Sequence, residues 1–307
     1  MSLISVCLPV FNGEKFLLHA LESIESQTYK DFELLISDDG SSDSSINIIE
    51  EFKNSSLLEI RVFKNNGFGI AKNCNFLAQK ACGKYLKFLF QDDFIDSDFL
   101  AKMLLPFKEN SNVSLAFCNR HLKLESDSIE CLQIFEGCKD LTAKWSNLKS
   151  IQVGFDFFED PLLLEGPINK VGEPSSSIIS EKHFNKVGGF SEDLKQLLDL
   201  ELWFKLFAVG NVAYVDKKLS TFRIHPQQES FNNFVNKIST GEAIQLYLSL
   251  LTDPLYTQIS SNSKLRICKK LILAQVGDKI DINVFNRQVL DLRSEIEAKN
   301  AEIEAKN

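Results

Sequence analysis

What this chain of 307 residues lacks narrows its class before any motif is read. It has only four histidines, and no CxxC pair occurs among its seven cysteines, so the usual zinc frameworks are excluded. The odd cysteine count, with several thiols inside apolar runs, also argues against a disulfide scaffold and for a reducing compartment. No apolar run approaches the roughly 18 residues of a membrane span. Met1 to Val10 has no basic n-region and Pro9-Val10-Phe11-Asn12 is no cleavage site, so no signal peptide and a cytoplasmic location are expected. A long Lys/Arg block is missing and the formal net charge is −8, which disfavours a nucleic-acid partner.

What is present is ordinary for a folded protein: 44% hydrophobic and 25% charged residues. The length suits one large α/β domain with appendages, or two small domains. From Leu3 to about Asn119 short apolar runs alternate with helix-spaced segments. Strands are predicted at Ile4 to Pro9, Phe32 to Ser37, Glu59 to Phe63, Leu86 to Phe90 and Val113 to Cys118. The intervening helices are predicted at Gly13 to Gln27, Ser44 to Phe52, Ile70 to Cys82 and about Asp98 to Lys108. Strands separated by helices of this length imply βαβ units, an α/β fold with a mainly parallel sheet flanked by helices.

From Arg120 to about Asn169 the periodicity is poor, and loops with short elements are expected. Beyond it lie a helix at Leu197 to Val209 and two strands, Val212 to Asp216 and Leu219 to Ile224. Residues 229 to 286 read as a helical extension. The tail, 287 to 307, repeats EIEAKN every seven residues, with Val289, Ile296 and Ile303 at one heptad position and Leu292, Lys299 and Lys306 at the other. That is a weak seam, through which the C-terminal helices could associate chains.

The most informative stretch is Tyr85 to Phe99, YLKFLFQDDFIDSDF. Leu86 to Phe90 is apolar at nearly every position, as in a strand buried on both faces. Asp92-Asp93 then stand at the strand end, where an open α/β sheet places its ligand crevice. Adjacent carboxylates repel, so a cation is one reading and a helix start capped by Asp96 or Ser97 is another. A second Asp-Asp pair, Asp38-Asp39, ends the second strand, although turn chemistry alone also suits Asp38 to Asp43. A third acidic station is Asp199-Leu200-Glu201-Leu202-Trp203, with Asp199 and Trp203 at i,i+4 on one helix face.

Five segments, in order, resemble the family 2 glycosyltransferases, inverting nucleotide-sugar enzymes of GT-A fold that are typical of bacterial polysaccharide and lipopolysaccharide synthesis. They are SVCLPVFNGEKFLLHALESIESQTYKDFELLISDDGSSD, NNGFGIAKNCNFLAQKACGKY, YLKFLFQDD, LLDLELWFKLFAVG and FRIHPQQES, spanning about Leu3 to Ser230. The resemblance implies a GT-A domain over 1–228, with a nucleotide-binding half (about 1–119) and an acceptor half (about 120–228). It implies that Pro9, Val10, Phe11, Asn12, Asp38, Asp39, Asn66, Lys72, Gln91 and Asp92 bind the nucleotide, with Asp39 on the base. It further implies that Asp92, with His225, holds Mn²⁺ or Mg²⁺, that Asp199 is the catalytic base, and that Asp93, Trp203 and Arg223 serve the acceptor and diphosphate loop. The implied partners are a nucleotide-sugar donor, a UDP-sugar by preference, and a glycan or glycolipid acceptor, with contact to a membrane surface left open.

One departure stands out: Phe90 occupies the place of the first Asp of the family's DxD motif, which puts donor ribose contacts in doubt. Two rival readings are a sugar nucleotidyltransferase and a non-catalytic scaffold of the same fold. The first wants a Gly-rich basic phosphate loop, whereas Pro9-Val10-Phe11-Asn12-Gly13 has one glycine; the second is disfavoured by retention of Asp92, Asp199 and His225.

Overall fold

The computed structural model describes residues 3–126, 128–235 and 239–276, so the heptad-like tail lies outside the described residues. The first part runs β1 (Ile4–Val10), α1 (Leu17–Glu25), β2 (Phe32–Asp38), α2 (Ser45–Ser55), β3 (Ile60–Lys64), α3 (Ile70–Lys80) and β4 (Tyr85–Phe88). It continues through β5 (Phe94–Ile95), α4 (Phe99–Met103), α5 (Leu105–Glu109) and β6 (Val113–Leu124). The weakly periodic region holds α6 (Ile129–Cys138), β7 (Ile151–Val153) and α7 (Asp156–Glu159). There follow β8 (Ser177–Ser180), α8 (Glu181–Lys186), α9 (Leu198–Val209), β9 (Asn211–Ile224), α10 (Glu229–Val235), α11 (Ser239–Thr252) and α12 (Ser261–Val276).

The strands form one sheet in the order β3-β2-β1-β4-β8-β6-β9-β5, with β7 on β9. Its first four strands are parallel, as βαβ connections require. β8 then runs antiparallel to both β4 and β6, while β6 and β9 pair parallel, so the sheet is mixed about the inserted β8. Apolar residues fill successive strand positions because both faces are covered. Val6, Leu8, Leu34 and Ile36 pack into a core with α1, while Cys7, Leu35, Leu86 and Phe88 enter a second core with α3 and α9.

Local chemistry explains where the elements depart from the sequence reading. The helix expected over Asp98 to Lys108 is two short ones meeting at Leu104, because Pro106 has no N–H to donate and crowds the carbonyl of the preceding turn. The two strands expected after Val212 are a single strand, β9. Its pairing with β6 jumps from Val215 on Cys118 to Lys218 on Asn119, so Asp216 and Lys217 bulge out where the sequence turns polar. The first helix starts at Leu17 rather than Gly13, since Asn12 adopts φ +48 and a turn follows.

The C-terminal helices pack on the second core. Leu246, Tyr247 and Leu250 of α11 and Ile267 of α12 are buried with Trp203, Phe204 and Phe207 of α9, and Tyr256 meets Phe158 edge-on at 5.6 Å. Among the described residues, no helix is long and apolar enough to cross a membrane.

Candidate active site

The C-terminal ends of β1, β2 and β4 open onto one edge of the sheet, and β9 brings Arg223 and His225 to the same edge by pairing with β5 and β6. Pro9 and Val10 are buried in β1, and the Val10 carbonyl accepts from the Asp39 amide at 2.8 Å. Phe11 is 55% exposed at the rim. The loop after β1 is laced in place from two sides. Gln91 Oε1 accepts from the Phe11 amide at 2.9 Å and its Nε2 donates to the Phe11 carbonyl at 2.9 Å. Asn12 Oδ1 accepts from the Ser42 amide at 2.8 Å, and the Asn12 amide donates to Ser41 Oγ at 2.8 Å. At Gly13 a Cβ would stand 2.3 Å from Gln91 Oε1, so any larger residue would push Gln91 off its bonds to Phe11.

Both carboxylates ending β2 are buried and hydrogen-bonded. Asp39 accepts from the Phe68 amide (2.7 Å) and the Gly69 amide (2.8 Å), which secures the entry to α3. Asp38 Oδ2 accepts from the Gly40 and Ser41 amides, and its Oδ1 has no partner among the described residues. Asn66 and Lys72 are exposed beside them, with Lys72 Nζ 4.5 Å above the Phe68 ring.

After β4 the chain turns through Phe90-Gln91-Asp92-Asp93. Asp92 Oδ2 lies 3.2 Å from His225 Nε2. The angle of approach makes no hydrogen bond, and neither ring nitrogen of His225 has a partner among the described residues, although the residue is 3% exposed. The ring rests on Phe16 at 4.6 Å. A buried imidazole with both nitrogens unpaired beside a carboxylate is costly unless something occupies the gap.

Arg223 is the hub that holds this turn. Its Nε donates to the Asp92 carbonyl at 2.8 Å and its amide to Asp93 Oδ1 at 3.1 Å. Nη1 pairs with Glu125, and Nη2 donates to His19 Nδ1 at 2.8 Å. Burial, and then the Arg223 charge, push the His19 pKa down, so its neutral ring can accept that bond. The guanidinium packs over Phe16 and Phe94 at 4.6 and 5.2 Å. Arg223, expected beside a diphosphate loop, has these donors spent on protein groups at 3% exposure.

Asp93 is likewise interior, at 2% exposure, and burial raises its carboxyl pKa to about 7. Beneath it lies Lys87, wholly buried, whose Nζ donates to the Pro174 and Ser175 carbonyls; desolvation lowers its pKa to about 7.

Asp199 stands in the first turn of α9 and is half-buried. Its Oδ2 accepts from Asn169 Nδ2 at 2.9 Å and its Oδ1 from the Leu200 amide at 2.8 Å. Crowding of the carboxyl raises its pKa to about 7, with the Glu173 charge adding to the effect. Glu173, paired with the buried Arg120, also adds to the rise at Asp93. Trp203, expected at the acceptor loop, is fully buried, and its Nε1 donates to the Gly172 carbonyl at 3.0 Å, anchoring α9 to the turn that carries Asn169.

Asn169, Glu173, Arg120, Lys87 and Ser175 escaped the sequence reading. Four come from aperiodic stretches or a strand end, and Lys87 is a single charge inside an apolar strand; that last oddity was the one available signal.

Residues 5–138 match the family model described as Glycosyl transferase family 2. An uncharacterized glycosyltransferase of Rickettsia prowazekii is 28% identical over 243 residues, covering 78% of this chain and 69% of its own length. The chain spans only 35% of two longer curated relatives. S. aureus TarS residues 1–349, solved with UDP-GlcNAc, superposes with a TM-score of 0.64 at 18% identity, covering 92% of this chain and 77% of that one. The mannosyltransferase PcManGT of Pyrobaculum calidifontis, solved with GDP-Man and Mn²⁺, gives 0.60 at 12% identity, over 96% and 79%. The mixed sheet with its crevice at the strand ends is thus the GT-A fold, and residues 5–138 within it are similar to glycosyl transferase family 2.

Proposed function

We propose that the protein is an inverting, divalent-metal-dependent glycosyltransferase that moves a sugar from a UDP-sugar to a hydroxyl of a glycan or glycolipid. The observation that carries this reading is the buried, unpaired His225 imidazole 3.2 Å from the Asp92 carboxylate. Adjacent ligands about 2.1 Å from an octahedral cation stand about 3.0 Å apart, so the two groups fit one ion without rearrangement. Among the described residues no cluster of three or more His, Cys, Asp or Glu is arranged as a metal site. A two-ligand site of one oxygen and one nitrogen suits Mn²⁺ completed by phosphate oxygens and water, and the nitrogen favours it over the harder Mg²⁺. When bound, the cation would neutralise the charge developing on the departing nucleoside diphosphate.

The remaining work falls to the chain's own side chains. Phe11 and the strand ends at Asp38 and Asp39 frame the nucleotide, and the rigid lacing through Gln91 and Asn12 keeps that pocket preformed. Asp199, raised to about 7 and fixed by Asn169, accepts the acceptor hydroxyl's proton as the oxygen attacks the anomeric carbon. One base and one displacement invert the anomeric centre. UDP is favoured among nucleotides because TarS was solved with UDP-GlcNAc. We place the reaction in the cytoplasm, consistent with seven free cysteines.

Thermal-shift measurement against UDP-, GDP-, dTDP- and CMP-sugars, each with Mn²⁺ and with EDTA, tests the proposal. A Mn²⁺-dependent shift with a UDP-sugar is expected, and no shift with any of the four overturns it. Asp39→Ala should weaken UDP binding by at least tenfold, about 1.4 kcal/mol, because the carboxylate also holds the Phe68 and Gly69 amides beside the pocket. Calorimetry showing wild-type affinity would remove Asp39 from the pocket.

A further inference from the structure

The helix that bears Asp199 has no cap of its own. Leu197 stands at its cap position and offers no side-chain acceptor, and its own amide is one of the helix's first four that need a partner from outside it. Here the three amides leading into α9 converge on one carboxylate from a later helix. Lys195 N donates to Glu242 Oε1 at 2.7 Å, while Gln196 N and Leu197 N donate to Oε2 at 2.9 and 2.8 Å. Glu242 is 7% exposed, and a buried carboxylate is tolerated only when its lone pairs are filled, as these three amides fill them. Asn233 of α10 makes a further long contact, donating to the Lys195 carbonyl at 3.5 Å.

The path of the chain gives this clamp a consequence beyond stability. His225 lies directly after β9, and its amide donates to Gln228 Oε1 at 2.9 Å. From Gln228 the chain enters α10, then α11, and returns through Glu242 to the start of α9. The candidate metal ligand and the candidate base are therefore joined through β9, and the Glu242 clamp ties the start of α9 to α11.

We propose that Glu242 is a positioning residue for the transfer reaction: by clamping the entry to α9 it holds Asp199 at the place where it takes the proton. The inference rests on Asp199 being the base. Its physical ground is that displacing a catalytic group by about 1 Å can cost about 10²-fold in rate, while a donor bound through other residues is unaffected.

The test is hydrolysis of UDP-GlcNAc with Mn²⁺ by the full chain, in Glu242→Gln, Glu242→Asp, Asp199→Asn and the double variant Asp199→Asn/Glu242→Gln. Glu242→Gln keeps the shape but presents an NH₂ to at least one of the three amides. It should lower kcat by about tenfold or more, leave KM for UDP-GlcNAc within about twofold, and speed hydrogen exchange at Lys195 to Leu197. Glu242→Asp keeps the charge and should recover part of the lost kcat; if the Gln variant does not fold, the Asp variant carries the same kcat-against-KM comparison. Because Glu242 acts through Asp199, the double variant should be no slower than Asp199→Asn alone. An unchanged kcat where the three amides exchange faster, or an equal loss with and without Asp199, overturns the inference. A near-normal rate in Asp199→Asn alone overturns the base assignment, and this inference with it.

Discussion

Asp199→Asn is expected to lower kcat by about 10²–10⁴-fold and to leave UDP affinity nearly unchanged, because a positioned general base acts on the chemical step and not on donor binding. The pH profile adds a sharper signature. The carboxyl is raised to about 7 by burial, so it is ionised and able to accept a proton only above that value. Wild-type kcat should fall about tenfold per pH unit below pH 7, and this limb should vanish in the asparagine variant. Stability follows the opposite course. A carboxyl whose folded pKa exceeds its unfolded value contributes fully below about pH 4 and loses that contribution as pH rises through about 7. The ionised base is thus destabilising where it is active, and at pH 8 the asparagine variant should melt no lower than wild type. If Asp199 served only the helix dipole, the variant would lose up to about 1 kcal/mol and keep its turnover. Single-turnover kinetics beside melting curves at pH 5 and pH 8 separates the two.

Asp92→Asn is expected to lower Mn²⁺-supported turnover by about 10²–10³-fold, the scale of losing one preorganised electrostatic contact to a developing charge. UDP affinity measured with Mn²⁺ should fall to the value found for wild type in EDTA, while the circular dichroism spectrum is unchanged. His225→Ala should behave alike, and the double variant should be little worse than either single one, since both groups act on one ion. Full wild-type activity in EDTA would show that Phe90 marks a metal-free site. That residue matters to the argument because the turn from Phe90 to Asp93 is held without a carboxylate at its first position. Gln91 ties it to Phe11, and Arg223 ties it to β9.

The parts of this molecule legible in the sequence were those with strong local signals. Apolar runs such as Leu86 to Phe90 announced buried strands, here β4 at Tyr85–Phe88, and the Asp-Asp pairs announced strand ends on one edge. His225 and Asp92 were paired on family resemblance, and the fold brings them within 3.2 Å. What sequence could not show was how long side chains are spent. Arg223 and Trp203 look like ligand contacts by position, yet each is consumed by backbone carbonyls and packed rings that only the three-dimensional fold supplies. The antiparallel insertion of β8 was equally invisible, because a four-residue strand carries too little pattern to reveal its direction. Glu242 was hidden for a third reason: a helix cap that arrives from another helix leaves no mark near the helix it serves.

The place of α6, β7 and α7 has a consequence for how such a protein can change. These elements lie between β6 and β8, yet β6 and β8 pair directly with each other, and β6 also pairs with β9. The sheet therefore closes without them. Asp92, Asp199 and His225 all sit on elements outside this stretch, but its later part packs on the Asp199 helix, with Phe157 stacked on Phe207 at 4.5 Å, while α6 is largely exposed. Insertions or deletions around α6 can thus reshape this side of the protein while the proposed metal pair and base keep their places. In the proposed reaction, a change of acceptor would be made in this exposed segment, leaving the core beneath the proposed base untouched.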